Sequence, residues 1–175
     1  VSNPAAPTLI GQRWLDGIGN SQIDEMDITR NGNLLILASR AGRVVSMDVS
    51  NPANPTILDD SLFLTSSGWT NSVAIVNGYA FISTDPNHIH AVNISDPENL
   101  VVDATISDNM VEDIGHLHLV GENIYYTSIG NDRFGLLELS CNIETSGPPD
   151  LGACSKMAAI DFDPAPPLYK YCDGG

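Results

Sequence analysis

Positive charge is scarce in this chain: 7 Lys and Arg stand against 22 Asp and Glu, giving a formal net charge of −15. A surface this negative repels phosphates, which argues against a nucleic-acid or anionic-membrane partner. Long apolar runs are also missing. No stretch approaches the roughly 18 consecutive apolar residues of a membrane span, so no spanning helix is expected. Cysteine is confined to Cys141, Cys154 and Cys172, none at CxxC spacing, which argues against a zinc ribbon or a thioredoxin-type motif. The GxSxG, HExxH and P-loop signatures do not occur. The lone Gly17-Ile18-Gly19 reads as turn chemistry, since a phosphate cradle needs a strand before it and a helix after. No stretch carries a capped 3.6-residue period, so helix is expected to be nearly absent. What remains is a globular composition, 42% hydrophobic and 17% charged over 175 residues, suited to one ordinary domain with a core.

The chain repeats itself. Val1-Ser2-Asn3-Pro4-Ala5-Ala6-Pro7-Thr8 recurs as Val49-Ser50-Asn51-Pro52-Ala53-Asn54-Pro55-Thr56, and Ile94-Ser95-Asp96-Pro97-Glu98-Asn99-Leu100 is a third copy. The apolar-Ser step returns at Leu139-Ser140, 45 residues after Ile94. A second marker runs in phase with it: Asn31-Gly32-Asn33, Asn77-Gly78-Tyr79 and, more loosely, Gly121-Glu122-Asn123.

Within a unit the punctuation predicts four short strands. Residues 72–76 are a β-rich run, and Asn77-Gly78 is able to take the positive φ of a tight hairpin. Strands follow at 79–84 and 88–94, with Asp85-Pro86-Asn87 turning between them. Asp96-Pro97-Glu98-Asn99 breaks the chain before a fourth strand from Leu100 to Ile106. Four strands at a period of about 45 residues is the spacing of a propeller blade.

The run Arg43-Val44-Val45-Ser46-Met47-Asp48-Val49-Ser50-Asn51-Pro52-Ala53-Asn54-Pro55 resembles the LVIVD repeat, and the preceding Asn-Gly hairpin is similar to that repeat as well. The resemblance covers roughly residues 1–140 and weakens at Leu139-Ser140-Cys141, where the Asn-Pro is lost. It implies a β-propeller of a secreted or surface-anchored protein, and it implies no shared catalytic residues.

The expected fold is therefore all-β: a β-propeller-like array of about three four-stranded blades, incomplete in one chain, with an irregular cysteine-containing tail. Blades are expected at about 13–58, 59–106 and 107–140, with residues 1–12 a displaced fourth strand and 141–175 a Pro/Gly-rich, disulfide-prone tail. Residues 114–140 offer only three strands of their blade. Propellers close with about four to eight blades. Two chains exchanging ends into a six-bladed ring, a piece of a larger propeller, or a filament whose neighbours cover the open edges would each resolve the shortfall. Met157 to Phe162 reads as a short strand able to cover the last open edge.

Candidate chemistry sits on the first strand of each blade, which lines a propeller's channel. Aligning the units places Glu25/Asp27, Ser72/Ala74 and His116/His118 at equivalent positions. Residues two apart share a strand face, so His116 and His118 with Glu25 and Asp27 would suit a divalent cation, Ca²⁺ or another. The plainer reading is that polar residues alternate with core residues on a half-buried strand, and that such histidines are simply hydrogen-bonded. His88 and His90 form a second pair under the same two readings.

Trp14 and Trp69, each following a fourth strand, suit either inter-blade packing or a stacking platform for a sugar or partner. The acidic stretches, such as Asp59-Asp60 and Glu112-Asp113, match no calcium-loop spacing and read as a solvated surface. Cys141, Cys154 and Cys172 are disulfide candidates, one of which would be left over. Asn93-Ile94-Ser95 is a glycosylation sequon. With the low Lys and the high Asp, Asn, Ser and Thr content it fits an exported protein. A chain opening at Val1 is expected to be a processed product or a piece of something longer. The function expected is an extracellular, non-catalytic assembly or adhesion module, self-associating or part of a larger surface protein or filament. The alternative is a metal- or carbohydrate-binding propeller, enzymatic or not, with a channel site near His116 and His118.

Overall fold

A computed structural model describes residues 6, 8–13, 15, 22–29, 31–65, 69–107, 113–121, 123–130, 133–138 and 156–161. Twelve strands are described, in three antiparallel sheets of four, and the described residues contain no helix. The first sheet runs β1 (Ile23–Ile28), β2 (Leu34–Ser39), β3 (Val44–Asp48) and β4 (Thr56–Asp59) in spatial order. The second runs β5 (Thr70–Val76), β6 (Tyr79–Thr84), β7 (His88–Asn93) and β8 (Val101–Ser107). The third comprises β9 (Asp113–Val120), β10 (Asn123–Ile129), β11 (Arg133–Glu138) and β12 (Lys156–Asp161).

Local chemistry accounts for the meander. Asn77 and Gly78 take φ of 50° and 81°, the left-handed pair that a two-residue hairpin requires. After the third strand of the first two blades two successive side-chain turns stop the sheet. In the first blade Asp48 Oδ1 accepts from Ser50 N at 2.8 Å, and Asn51 Oδ1 accepts from Ala53 N at 3.2 Å. The second blade repeats this, with Asn93 Oδ1 accepting from Ser95 N at 3.0 Å and Asp96 Oδ1 from Glu98 N at 3.2 Å. The recurrent Asx-apolar-Ser-Asx-Pro string thus exists because two short acceptors at this spacing satisfy the amides that the sheet has released.

One feature bears out the expectation for the Met157 to Phe162 run, and one departs from what the sequence suggested. The third blade has four strands, because the tail supplies β12, paired in register with β11 from Arg133↔Asp161 to Glu138↔Lys156. A long insertion separates these strands, so repeat spacing did not reveal the pairing. At the other end, residues 8–12, read as part of a displaced strand, carry no strand pairing. Gly11 instead passes the Pro52–Ala53 turn so closely that a Cβ there would lie 2.1 Å from the Pro52 carbonyl oxygen.

The core lies between sheets. Period-two alternation sends Tyr79 and Phe81 of β6 one way and Ala80 and Ile82 the other, so the middle sheet is buried on both faces. Ile36, Ala38 and Val44 meet Val73, Ala80, Ile82 and Val92 between the first two blades. Tyr79, Phe81 and Ile89 meet Ile114, Leu117, Ile124, Tyr126 and Leu137 between the second and third. Gly135 makes room for Tyr126: a Cβ on it would fall 1.9 Å from the tyrosine ring. The first strands β1, β5 and β9 stand side by side along the inner edge of the array.

Candidate interaction site on the inner strands

An edge strand leaves alternate backbone N–H groups unpaired, and something must satisfy them. On the inner edge of this array the side chains of the preceding blade do so. Asp27 Oδ2 accepts from Ile75 N at 2.8 Å, linking β1 to β5. Ser72 Oγ accepts from Leu117 N at 3.0 Å, linking β5 to β9. Both acceptors lie in the position pairs that the repeat alignment picked out, Asp27 at the second place of its pair and Ser72 at the first. Asn71 adds a second link, donating through Nδ2 to Asp85 Oδ1 at 2.8 Å and to the Ile114 carbonyl at 3.0 Å. Ser83 Oγ donates to the Gly115 carbonyl at 3.2 Å.

A third link lies farther out. Asp59, buried at the end of β4, accepts from Leu100 N at 2.9 Å and from Ser61 N at 2.8 Å. Burial works to raise its carboxyl pKa, but the Leu100 and Ser61 donors outweigh that and hold it below the ordinary carboxylate value. Sequence reasoning saw Asp59 only as part of an acidic stretch. The signal available was its place at the end of an alternating strand, where a carboxylate on a core-facing position needs donors.

The residues proposed as metal ligands are spread along this same inner edge. Asp27 uses both carboxylate oxygens on backbone amides, Oδ2 on Ile75 and Oδ1 on Ile28 N at 2.8 Å. Glu25 Oε1 accepts from Met26 N at 3.3 Å. His116 and His118 are exposed on β9. Among the described residues no three His, Cys, Asp or Glu side chains come together as a metal-binding group. His90 is engaged at both ring nitrogens, Nε2 with Thr84 Oγ1 at 3.0 Å and Nδ1 with Thr105 Oγ1 at 2.9 Å. Its neighbour His88 stacks on it with ring centroids 6.0 Å apart.

The other candidates divide as follows. Trp69 is 52% exposed, with the Arg40 guanidinium 4.5 Å from its ring centroid. Trp14, Cys141, Cys154 and Cys172 lie outside the described residues. Asn93 sits at the end of β7, where its Oδ1 caps Ser95 and its Nδ2 donates to Asp103 Oδ2 at 3.1 Å. The sequon therefore coincides with the structural turn that Asp48 and Ser50 form in the first blade. The arrangement as a whole is a row of hydrogen-bond acceptors matched to edge amides, which is chemistry for joining blades.

A family model for the LVIVD repeat matches residues 24–60 and 67–106, which correspond to the first two blades. No curated protein matches the chain in sequence. Among solved structures, a candidate 6-phosphogluconolactonase from Bacteroides uniformis superposes with a TM-score of 0.59 at 12% identity, over 79% of this chain and 47% of that one. The β-propeller domain of Cps50 (Swd1) from Myceliophteria thermophila superposes with a TM-score of 0.53 at 14% identity, over 81% of this chain and 51% of that one. The chain thus spans about half the length of the solved structures it matches. Likeness at this identity carries the fold alone, and that fold is a propeller.

Proposed function

Taking as premise that the chain belongs to the LVIVD-repeat family and is built as β-propeller blades, we propose that it serves outside the cell as a non-catalytic assembly module. The observation that carries this reading is the use of the inner-strand polar side chains. In a ligand-binding propeller the polar groups facing the channel are held toward a guest. Here Asp27 and Ser72 are engaged in holding the next blade. Three blades fall short of the about four to eight that close a ring, so the array has a use for neighbours.

The exterior location is supported by composition. A net charge of −15 with few cations suits a solvated extracellular surface, and three cysteines in a Pro/Gly-rich tail suit an oxidising compartment. A disulfide among Cys141, Cys154 and Cys172 would leave one thiol for a bond to another chain.

Native mass spectrometry of the 175-residue chain, with and without reductant, tests the proposal. Assemblies larger than 18.7 kDa are expected. A covalent species seen only without reductant would assign the odd cysteine to an inter-chain bond, and long polymers would make the chain a filament subunit. A compact monomer under every condition overturns the assembly role.

A further inference from the structure

The two internal blade contacts follow one rule, and both ends of the array leave that rule half-fulfilled. At each contact an inner-strand side chain of one blade accepts an edge amide of the next, Asp27 from Ile75 and Ser72 from Leu117. The apolar residues of the receiving strand, Val73 and Ile75 or Leu117 and Leu119, then pack toward the preceding blade. On β1 the same positions are Met26 and Ile28, which are 60% and 46% exposed. Among the described residues their amides are accepted within their own strand, by Glu25 Oε1 and Asp27 Oδ1. On β9 the acceptor positions are His116 and His118, both exposed. Beside them Tyr125 stacks on Phe134 at 5.7 Å, and Val120, 52% exposed, extends the apolar face.

We propose that these flanks are the two halves of one contact, and that a second copy of this chain fills each of them, head to tail, closing a six-bladed ring. The proposal rests on the assembly role above and gives it a partner. An unprotonated imidazole nitrogen is a hydrogen-bond acceptor, so His116 and His118 do for the second copy's Met26 and Ile28 amides what Ser72 and Asp27 do inside the chain. The contact continues an interface already repeated twice, in the same order of strands. One feature singles out a second copy as the occupant: among the described residues, one copy carries both an unfilled acceptor flank and an unfilled donor flank. Two equivalent head-to-tail contacts about a twofold axis close without polymerising. Leu37, Val45 and Met47, farther out on the first flank, are already buried in a cluster that Leu15 joins, so the second copy meets mainly the inner strand.

The test is sedimentation velocity with native mass spectrometry on the full chain and its variants. The wild type is expected to dimerise. Met26→Asp and His118→Lys should each weaken the dimer by at least about tenfold, since each removes one half of the contact. Mixing the two variants should restore a one-to-one dimer, because one of its two contacts is then wild type. His116→Ser and His118→Asp copy the acceptors of the internal contacts and should dimerise as the wild type does. Far-ultraviolet circular dichroism and thermal unfolding check that every variant is folded. An assembly indifferent to Met26→Asp and His118→Lys overturns this inference and leaves the assembly role standing. Loss with His118→Lys but not Met26→Asp means like flanks meet, which overturns the head-to-tail arrangement. Long polymers overturn ring closure. A wild type that stays monomeric throughout overturns both this inference and the assembly role.

Discussion

His90 is held between two threonine hydroxyls, and that fixes its chemistry. With Thr84 on one nitrogen and Thr105 on the other, the neutral ring is satisfied as one donor and one acceptor. Burial, aided by the charge of neighbouring His88, lowers its pKa from 6.5 to about 4. The unfolded chain takes up this proton near pH 6.5 and the folded chain only near 4. Stability is therefore complete above 6.5 and declines as the pH falls through that window, by at most about 3 kcal/mol in all, an upper bound that solvent screening reduces. Urea unfolding between pH 7.5 and 4 checks this, and His90→Gln, which does not titrate, should flatten the slope. Asp59 responds at lower pH and for a different reason. Its pKa is held below 3.8, so its contribution is present above that value and is lost as the pH drops further. Asp59→Ala would strand the Leu100 amide and should cost about 1.5–3 kcal/mol at neutral pH by equilibrium unfolding. An unchanged unfolding midpoint would deny that the carboxylate clasps the second blade to the first.

Elements were legible wherever local chemistry and repeat phase agreed. The second blade reads almost residue for residue, because Asn77-Gly78, Asp85-Pro86-Asn87 and the Asp96–Asn99 turn mark every strand end. The pairing of β12 was visible only as a short apolar run in the tail, since nothing in a repeat period specifies a strand arriving after a long insertion. The inner-strand positions were found, but their use was not. Alternation places Glu25/Asp27, Ser72/Ala74 and His116/His118 on equivalent faces, and a face alone does not say whether its groups converge on an ion or reach for the next blade. The sequon has a similar history, because the triplet Asn93-Ile94-Ser95 is also the turn the repeat needs. That turn makes a prediction of its own. Asn93→Asp keeps the Oδ1 acceptor, as Asp48 does in the first blade, but sets a second carboxylate beside Asp103 Oδ2. It should cost about 0.5–1 kcal/mol at neutral pH, and the loss should shrink in salt or acid, because the repulsion is exposed and screened. A cost independent of both would mean that the amide's donated hydrogen bond, rather than charge, is what matters there.

At the scale of the whole molecule, charge and contact surface oppose one another. Each copy carries −15, so any association of identical chains works against mutual repulsion. The surfaces proposed to meet, Met26, Ile28, Val120 and the two imidazoles, contribute no opposite charges to offset it. Salt should therefore strengthen the assembly: raising ionic strength from about 0.01 M to 0.15 M shortens the screening length from roughly 30 Å to 8 Å and removes most of the long-range repulsion. Sedimentation equilibrium in sodium chloride should show the association constant rising several-fold over that range. A fall would mean that ion pairs hold the contact, which would move the interface away from the inner strands and onto groups such as Arg40 and Arg43. Replacing sodium by calcium at matched ionic strength separates screening from site binding. Equal effects are expected if the acidic surface acts only through its charge. A further tightening by calcium that disappears with His116→Ala and His118→Ala would instead place a cation between the imidazoles and the Glu25/Asp27 edge of the neighbouring copy, where two incomplete ligand sets would meet across the ring.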